Sequence, residues 1–166
     1  MLIRNETVGD IPAIRRVVTD ALKKLVQSTG TEAAIVEKLR EDDALVLSLV
    51  ADEGGEVIGY LAASTAQVGM QGGWSLIGPL AVLPSRHRQG IGSALMAEAI
   101  NRLRPSMRGI ALVGDPAYYG RFGFRSFPRL SVRGCPPEVV QALTFEDIEP
   151  RGELFHHQAF GLEQQT

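Results

Sequence analysis

The chain has 166 residues, 17 Lys and Arg against 19 Asp and Glu, and a formal net charge of −2. With 45% apolar and 22% charged residues, it has the length and balance of one soluble domain, which excludes a disordered chain and gives no basic excess for binding phosphate backbones. One cysteine, Cys135, excludes an internal disulfide framework and a thiolate metal cluster.

The N-terminus has no basic region followed by an apolar stretch, and no apolar run approaches the ~20 residues that span a bilayer. The expectation is a cytoplasmic protein, one domain over residues 1–166, with neither a membrane nor a nucleic acid as partner. Leu2 to Arg4 reads as a short strand. Asp10 and Pro12 mark a helix start, and Ile11, Ile14, Val18, Leu22 and Leu25 follow at spacings of three and four. Arg15, Arg16, Lys23 and Lys24 read as that helix's solvated face. A second helix is expected from Thr31 to Arg40, with Ile35, Val36 and Leu39 inward.

Leu45–Asp52 and Val57–Thr65 flank Glu53-Gly54-Gly55-Glu56 and read as a β-hairpin. Trp74–Leu83 is a third strand, and Pro79 inside it predicts a bulge, a bend or a lost neighbour, because proline has no N–H for the ladder. Pro84–Gln89 is a polar loop, and Gly90-Ile91-Gly92 leads into a helix from Ser93 to Arg104. Ile110–Val113 reads as a strand, Tyr118–Phe122 as a short helix and Phe124–Phe127 as a strand. Arg129–Pro137 is loop-like, and Glu153–Phe160 is a last strand. Alternating strands and helices with a hairpin in the middle predict a mixed α/β (α+β) sheet rather than a regular doubly wound one.

Arg86-His87-Arg88-Gln89-Gly90-Ile91-Gly92-Ser93 joins a strand to a helix. Glycines let backbone approach a ligand, first-turn N–H groups with the helix dipole favour an anion, and arginines add forked donors. That chemistry is a phosphate or pyrophosphate site. The run is not G-x-x-x-x-G-K-[ST], and Leu95 stands where a dinucleotide fingerprint needs its third glycine.

Leu80-Ala81-Val82-Leu83-Pro84 followed by this loop closely resembles the acetyl-coenzyme A motif of the GNAT N-acetyltransferase superfamily, Q/R-x-x-G-x-G/A after a central strand. Asp115-Pro116-Ala117-Tyr118-Tyr119-Gly120-Arg121-Phe122-Gly123-Phe124 resembles the second family motif, a Tyr followed four residues later by Gly-Phe. The resemblance covers residues 1 to 127 well and the tail loosely. It implies a mostly antiparallel sheet of about seven strands flanked by about four helices, with a splayed wedge in mid-sheet. It implies acetyl-CoA as cosubstrate, no metal, and a monomer or homodimer.

By resemblance, the backbone of Leu80, Ala81 and Val82 pairs with the pantetheine arm. Arg88, Gln89, Gly90, Ile91, Gly92 and Ser93 hold the pyrophosphate, and Arg86, Arg88 or Arg121 adds charge. A backbone N–H near Ala81 or Val82 serves the thioester oxygen. Tyr119 holds the tyrosine position as general acid, protonated at neutral pH by its ordinary pKa near 10. Tyr118 is the fallback and otherwise packs. His87 departs from the Gln or Arg of the pattern, at a position expected to act through its backbone.

The resemblance implies a primary amine as acceptor, on a small molecule or peptide. Its base stays open among a water relay, a residue of another strand and an amine delivered neutral, since Ser75 is the only polar residue from Trp74 to Leu83. Glu32, Glu37 and Glu41 read as a solvated helix face. Adjacent His156 and His157 point to opposite faces of a strand and do not share a metal ion. With Phe155 and Phe160, one of them lines the acceptor pocket or packs at the sheet end. Cys135 has no base beside it, and Trp74 reads as a sheet-edge or pocket-wall aromatic. The competing readings are a non-catalytic acyl-CoA sensor, which would dispense with Tyr119, and transfer of a different acyl group.

Overall fold

The computed structural model describes residues 1–23, 32–157 and 160. Lys24, Leu25 and Thr31, named above, lie outside them. One sheet runs in the order β1-β2-β3-β4-β5-β7, built from β1 (Leu2–Asn5), β2 (Leu45–Glu53), β3 (Glu56–Val68), β4 (Gln71–Val82), β5 (Gly109–Val113) and β7 (Val140–Thr144). Neighbours are antiparallel except β4 and β5. β3 outruns β2, and β8 (Gly152–His156) takes over its free edge at Ala66–Val68. The two-residue β6 (Leu130–Ser131) pairs with β8.

β3 is nearly continuously buried because both its faces are covered. Alternate strand residues point to opposite faces, so Leu49 and Ala51 belong to one core and Val50 to another. The first core packs under α3 (Ile91–Leu103) through Leu95, Met96 and Ala99. The second packs under α1 (Ile11–Leu22), through Ile14, Val17 and Val18, with Val36 of α2 (Glu32–Glu41). Ile35, Val36 and Leu39 face inward as expected, while Arg15, Arg16 and Lys23 are exposed. A third core, around Trp74, Leu76, Phe127, Leu130 and Leu154, closes the far end of the sheet. α4 (Pro116–Tyr119) follows β5. Among the described residues, no helix is long and apolar enough to cross a membrane.

Two expectations are corrected, and one strand had not been expected. Phe124–Phe127 makes only one bridge, Arg125 to Ala142, because Phe127 turns away to fill the third core. β7 lies in a stretch where the sequence suggests no strand: polar Gln141 interrupts its apolar run, yet is 1% exposed, its Nε2 donating to the Gly114 carbonyl at 3.1 Å. Trp74 is no edge residue, since it pairs with Ala66 on one side and Gly109 on the other.

Two ionic clusters tie the helices to the sheet. Arg4 forks onto Asp10 (2.7 and 3.0 Å) and donates from Nε to Asp52 (3.0 Å), joining β1, the start of α1 and the end of β2. Arg40 on α2 forks onto Glu6 at 3.0 and 2.9 Å, and Ser48 donates to the same carboxylate. Ser48 Oγ also lies 2.7 Å from the hydroxyl of buried Tyr60. The Arg4 guanidinium holds the Asp10 carboxyl well below the usual carboxylate range against the cost of desolvation, and Thr7 N–H assists at 2.7 Å. Asp52 is lowered too, by Arg4 first and then by the Gly55 N–H.

Carboxyls whose folded pKa is lowered stabilise the fold above their unfolded value near ~4, and that contribution is lost as pH falls through the folded pKa. Asp10→Ala is expected to cost about 2 kcal/mol at pH 7, the scale for unpairing hydrogen-bonded groups. Urea titration should show the gap to wild type closing as the pH falls below about 4.

Candidate functional site

β4 and β5 hydrogen-bond only over Trp74–Leu76 and Gly109–Ala111. Beyond Leu76, β4 continues to Val82 on β3 alone, while β5 runs on with β7. The two strands therefore part in mid-sheet. The parting begins where the register steps from Ala63↔Ile77 to Leu61↔Leu80, leaving Gly78 and Pro79 both opposite Ala62. This is the bulge that Pro79 predicts.

The register assigns the backbone groups beyond it. Leu83 N–H donates to the Ile58 carbonyl at 3.0 Å. Antiparallel pairs alternate, so Ala81 also turns its N–H and C=O toward β3, while Leu80 and Val82 turn theirs into the parting. Of the three residues expected to meet a ligand, Leu80 and Val82 thus offer backbone and Ala81 does not. His87 donates from Nε2 to the Val82 carbonyl at 2.8 Å, so its side chain, and not only its backbone, reaches the strand. That contact spans a turn and has no signature in the spacing of residues.

α3 begins at Ile91, two residues earlier than expected, with Gly90 as its left-handed cap at φ 79°. Its first helical bond is Ala94 N–H to the Gly90 carbonyl at 3.0 Å, so the N–H groups of Ile91, Gly92 and Ser93 precede the ladder. Arg88 is also left-handed, at φ 64°. Alternating handedness over Arg88–Gly90, followed by a helix start, makes a concave array of N–H donors suited to an anion. Arg88, Gln89 and Gly90 are exposed, and Ile91 is buried in the first core. Arg86 is engaged elsewhere, with Glu53 and with Gln89 Oε1 at 3.0 Å. Arg121 lies over the Tyr118 ring, 4.5 Å from its centroid, and donates from Nε to the Tyr118 carbonyl at 3.2 Å.

Tyr119 comes from the β5 side of the parting. Asp115 caps α4, its Oδ1 accepting from Ala117 N–H at 2.9 Å, and Pro116 takes the first helical position. The Tyr119 ring meets Tyr118 edge-on at 4.9 Å and Phe124 at 6.2 Å. Gly114 backs it closely enough that a β-carbon there would overlap the ring. Burial pushes the Tyr119 phenol up to about 12, so it holds its proton at neutral pH.

On the opposite face, Phe160 lies 3.9 Å from where a β-carbon on Gly78 would stand. His156 meets Phe160 edge-on at 5.4 Å, and His157 Nε2 lies 3.0 Å from Asp42 Oδ2. Phe160 thus approaches the bulge with His156 against it, whereas Phe155 is 51% exposed. Glu37 pairs with Arg15 on α1. Cys135 packs against the third core. Among the described residues, no group of three His, Cys, Asp or Glu side chains has the arrangement of a metal site.

A mixed sheet parted beside a strand–glycine loop–helix unit is the architecture of an acyl-CoA-type acyltransferase. The acetyltransferase (GNAT) family profile matches residues 13–124, and the chain belongs to that family. It is 41% identical over 127 residues to the uncharacterised N-acetyltransferase YhbS of Escherichia coli K12, covering 75% of this chain and 73% of that one. A second uncharacterised N-acetyltransferase of that strain, YjhQ, is 31% identical over 163 residues, 88% of this chain and 86% of its own length. Among solved structures, a GNAT acetyltransferase from Brucella melitensis in complex with acetyl-CoA superposes with a TM-score of 0.85 at 38% identity, covering 96% of this chain and 97% of that one. Escherichia coli YhbS in complex with CoA gives a TM-score of 0.88 at 31% identity, with 96% and 91% coverage.

Gly114, just before the second motif, and Gly120 within it separate a packing demand from a permissive one. Gly114→Ala should lower stability by about 1–3 kcal/mol through overlap with Tyr119. A β-carbon at Gly120 has nothing within 4 Å, and Gly120→Ala should be neutral or stabilising by up to about 1 kcal/mol. Thermal melts of the two variants check the contrast.

Proposed function

We propose that this chain is an N-acetyltransferase that takes an acetyl group from acetyl-CoA and passes it directly to a primary amine held in the same complex. The observation that carries the reading is the parting of β4 from β5, with the Leu80 and Val82 backbone turned into it between the α3 N-terminus and Tyr119. The donor set fits the cosubstrate part by part. Ladder groups on Leu80 and Val82 suit the amides of a pantetheine arm, which would add to β4 as an extra strand does. The N–H groups from Arg88 to Ser93 suit a diphosphate, with Arg88 and Arg121 supplying charge. Acetyl-CoA contributes the activated thioester.

The chain's own groups then have distinct tasks. Val82 N–H faces the parting and is the donor for the thioester oxygen, in place of Ala81 N–H, which faces β3. Tyr119 keeps its proton to neutral pH and above, and delivers it to the departing sulfur. Phe160 and the His156–His157 segment border the acceptor's side of the bulge.

Calorimetry of the purified protein with acetyl-CoA, CoA, ATP and NAD tests the cosubstrate. Micromolar binding of the first two and none of the others is expected, and no binding of CoA would sink the proposal. With an amine acceptor in hand, Tyr119→Phe should lower kcat by about a hundredfold, the scale of losing a general acid, while acetyl-CoA still binds. Tight binding with no turnover on any amine would favour the sensor reading instead.

A further inference from the structure

Tyr118 stands beside the proposed acid and has no task in the reading above. Its ring is held by three neighbours. Tyr119 meets it at 4.9 Å and Phe122 at 5.5 Å, both edge-on, and the Arg121 guanidinium lies 4.5 Å from its centroid. Locked in this way, the ring carries its hydroxyl over the first turn of α3. A β-carbon built on Gly92 would stand 2.6 Å from the Tyr118 hydroxyl and 3.8 Å from Val82 Cγ2. The hydroxyl therefore sits where the end of β4, the N–H groups of Ile91–Ser93 and the aromatic cluster of α4 converge.

We propose that Tyr118 is a cofactor-binding residue whose hydroxyl donates a hydrogen bond to the diphosphate of acyl-coenzyme A lying on the α3 N-terminus. The inference rests on the acyl-CoA reading. The helix donors approach such an anion from one side, and a phenol fixed on α4 supplies a donor from another. A tyrosine has two side-chain torsions to fix, and here packing has already fixed them. Arg121 acts twice, pinning the ring and adding positive charge beside it. Burial raises the Tyr118 phenol above its ordinary value, Arg121 pulling the other way, so the group is a donor at neutral pH.

The same contact explains a residue choice. The family pattern accepts Gly or Ala where this chain has Gly92. Here a methyl group would stand 2.6 Å from the Tyr118 hydroxyl, so alanine requires that hydroxyl to shift for as long as position 118 is tyrosine.

The test is titration of CoA and of dephospho-CoA, which keeps the diphosphate but lacks the 3′-phosphate, into five proteins. These are wild type, Tyr118→Phe, Tyr119→Phe, Gly92→Ala and the Tyr118→Phe/Gly92→Ala pair, each checked by thermal melting. Tyr118→Phe is expected to weaken both ligands about tenfold, the scale of one hydrogen bond to a charged group. In turnover, KM for acetyl-CoA should rise by a similar factor with a smaller change in kcat, the reverse of Tyr119→Phe. Gly92→Ala should weaken binding in the tyrosine background and do so less in the phenylalanine background. Unchanged affinity for both ligands in Tyr118→Phe overturns the inference while leaving the acyl-CoA reading intact. A loss seen with CoA but not dephospho-CoA assigns the hydroxyl to the 3′-phosphate and overturns it too. If wild type binds neither ligand, the acyl-CoA reading itself has failed and this inference falls with it.

Discussion

A strand in mid-sheet must place the hydrogen-bonding groups of both its edges, and β4 loses one neighbour halfway along. Up to Leu76 it has partners on both sides, and beyond the Gly78–Pro79 bulge only β3 remains. Leu80 and Val82 consequently present backbone donors and acceptors inside the protein, aimed at a gap lined by β4 on one side and by β5 with α4 on the other. Three features of the candidate site are arranged around that interruption. The glycine loop follows the end of the interrupted strand, Tyr119 lies on α4 just after the strand that has moved away, and Phe160 approaches Gly78 from the opposite face.

The surrounding structure keeps the parting open. α3 seats Ile91, Leu95 and Met96 in the core shared by β2, β3 and β5, so the loop before it cannot drift from β4. β7 holds the departing strand through a five-residue antiparallel ladder, and buried Gln141 ties it to the Gly114 carbonyl just before α4. On the other face, the Arg4–Asp10–Asp52 and Arg40–Glu6–Ser48 clusters fasten α1 and α2 to β1 and β2. These ties lie at the margins of the sheet, away from the parting, where His87 Nε2 meets the Val82 carbonyl.

Much of this was legible in the residue order. The meander, the helix after the glycine loop and the bulge at Pro79 follow from local rules of turn chemistry, apolar period and the missing proline N–H. The strand over Val140–Thr144 was not legible, because Gln141 looks like a solvent residue until Gly114 is known to lie beside it. The expected strand at Phe124–Phe127 failed for the converse reason: its aromatics suit a strand, but a distant core claims Phe127. In the candidate site, the loop and Tyr119 were singled out by resemblance to family motifs, whereas which of Ala81 and its two neighbours faces the parting depends on register. A shift of one residue would exchange their roles.

By itself, then, the sequence determined the class of protein, because a phosphate-suited loop and the Tyr-to-Gly-Phe run are local patterns whose chemistry depends on neighbours in the chain. Tertiary structure decided which backbone groups face the gap, that His87 meets Val82 and that His157 meets Asp42. It also decided that Tyr118 overhangs the first turn of α3. Each of these depends on strand register or on elements distant in sequence packing together, and neither quantity is carried by residue spacing.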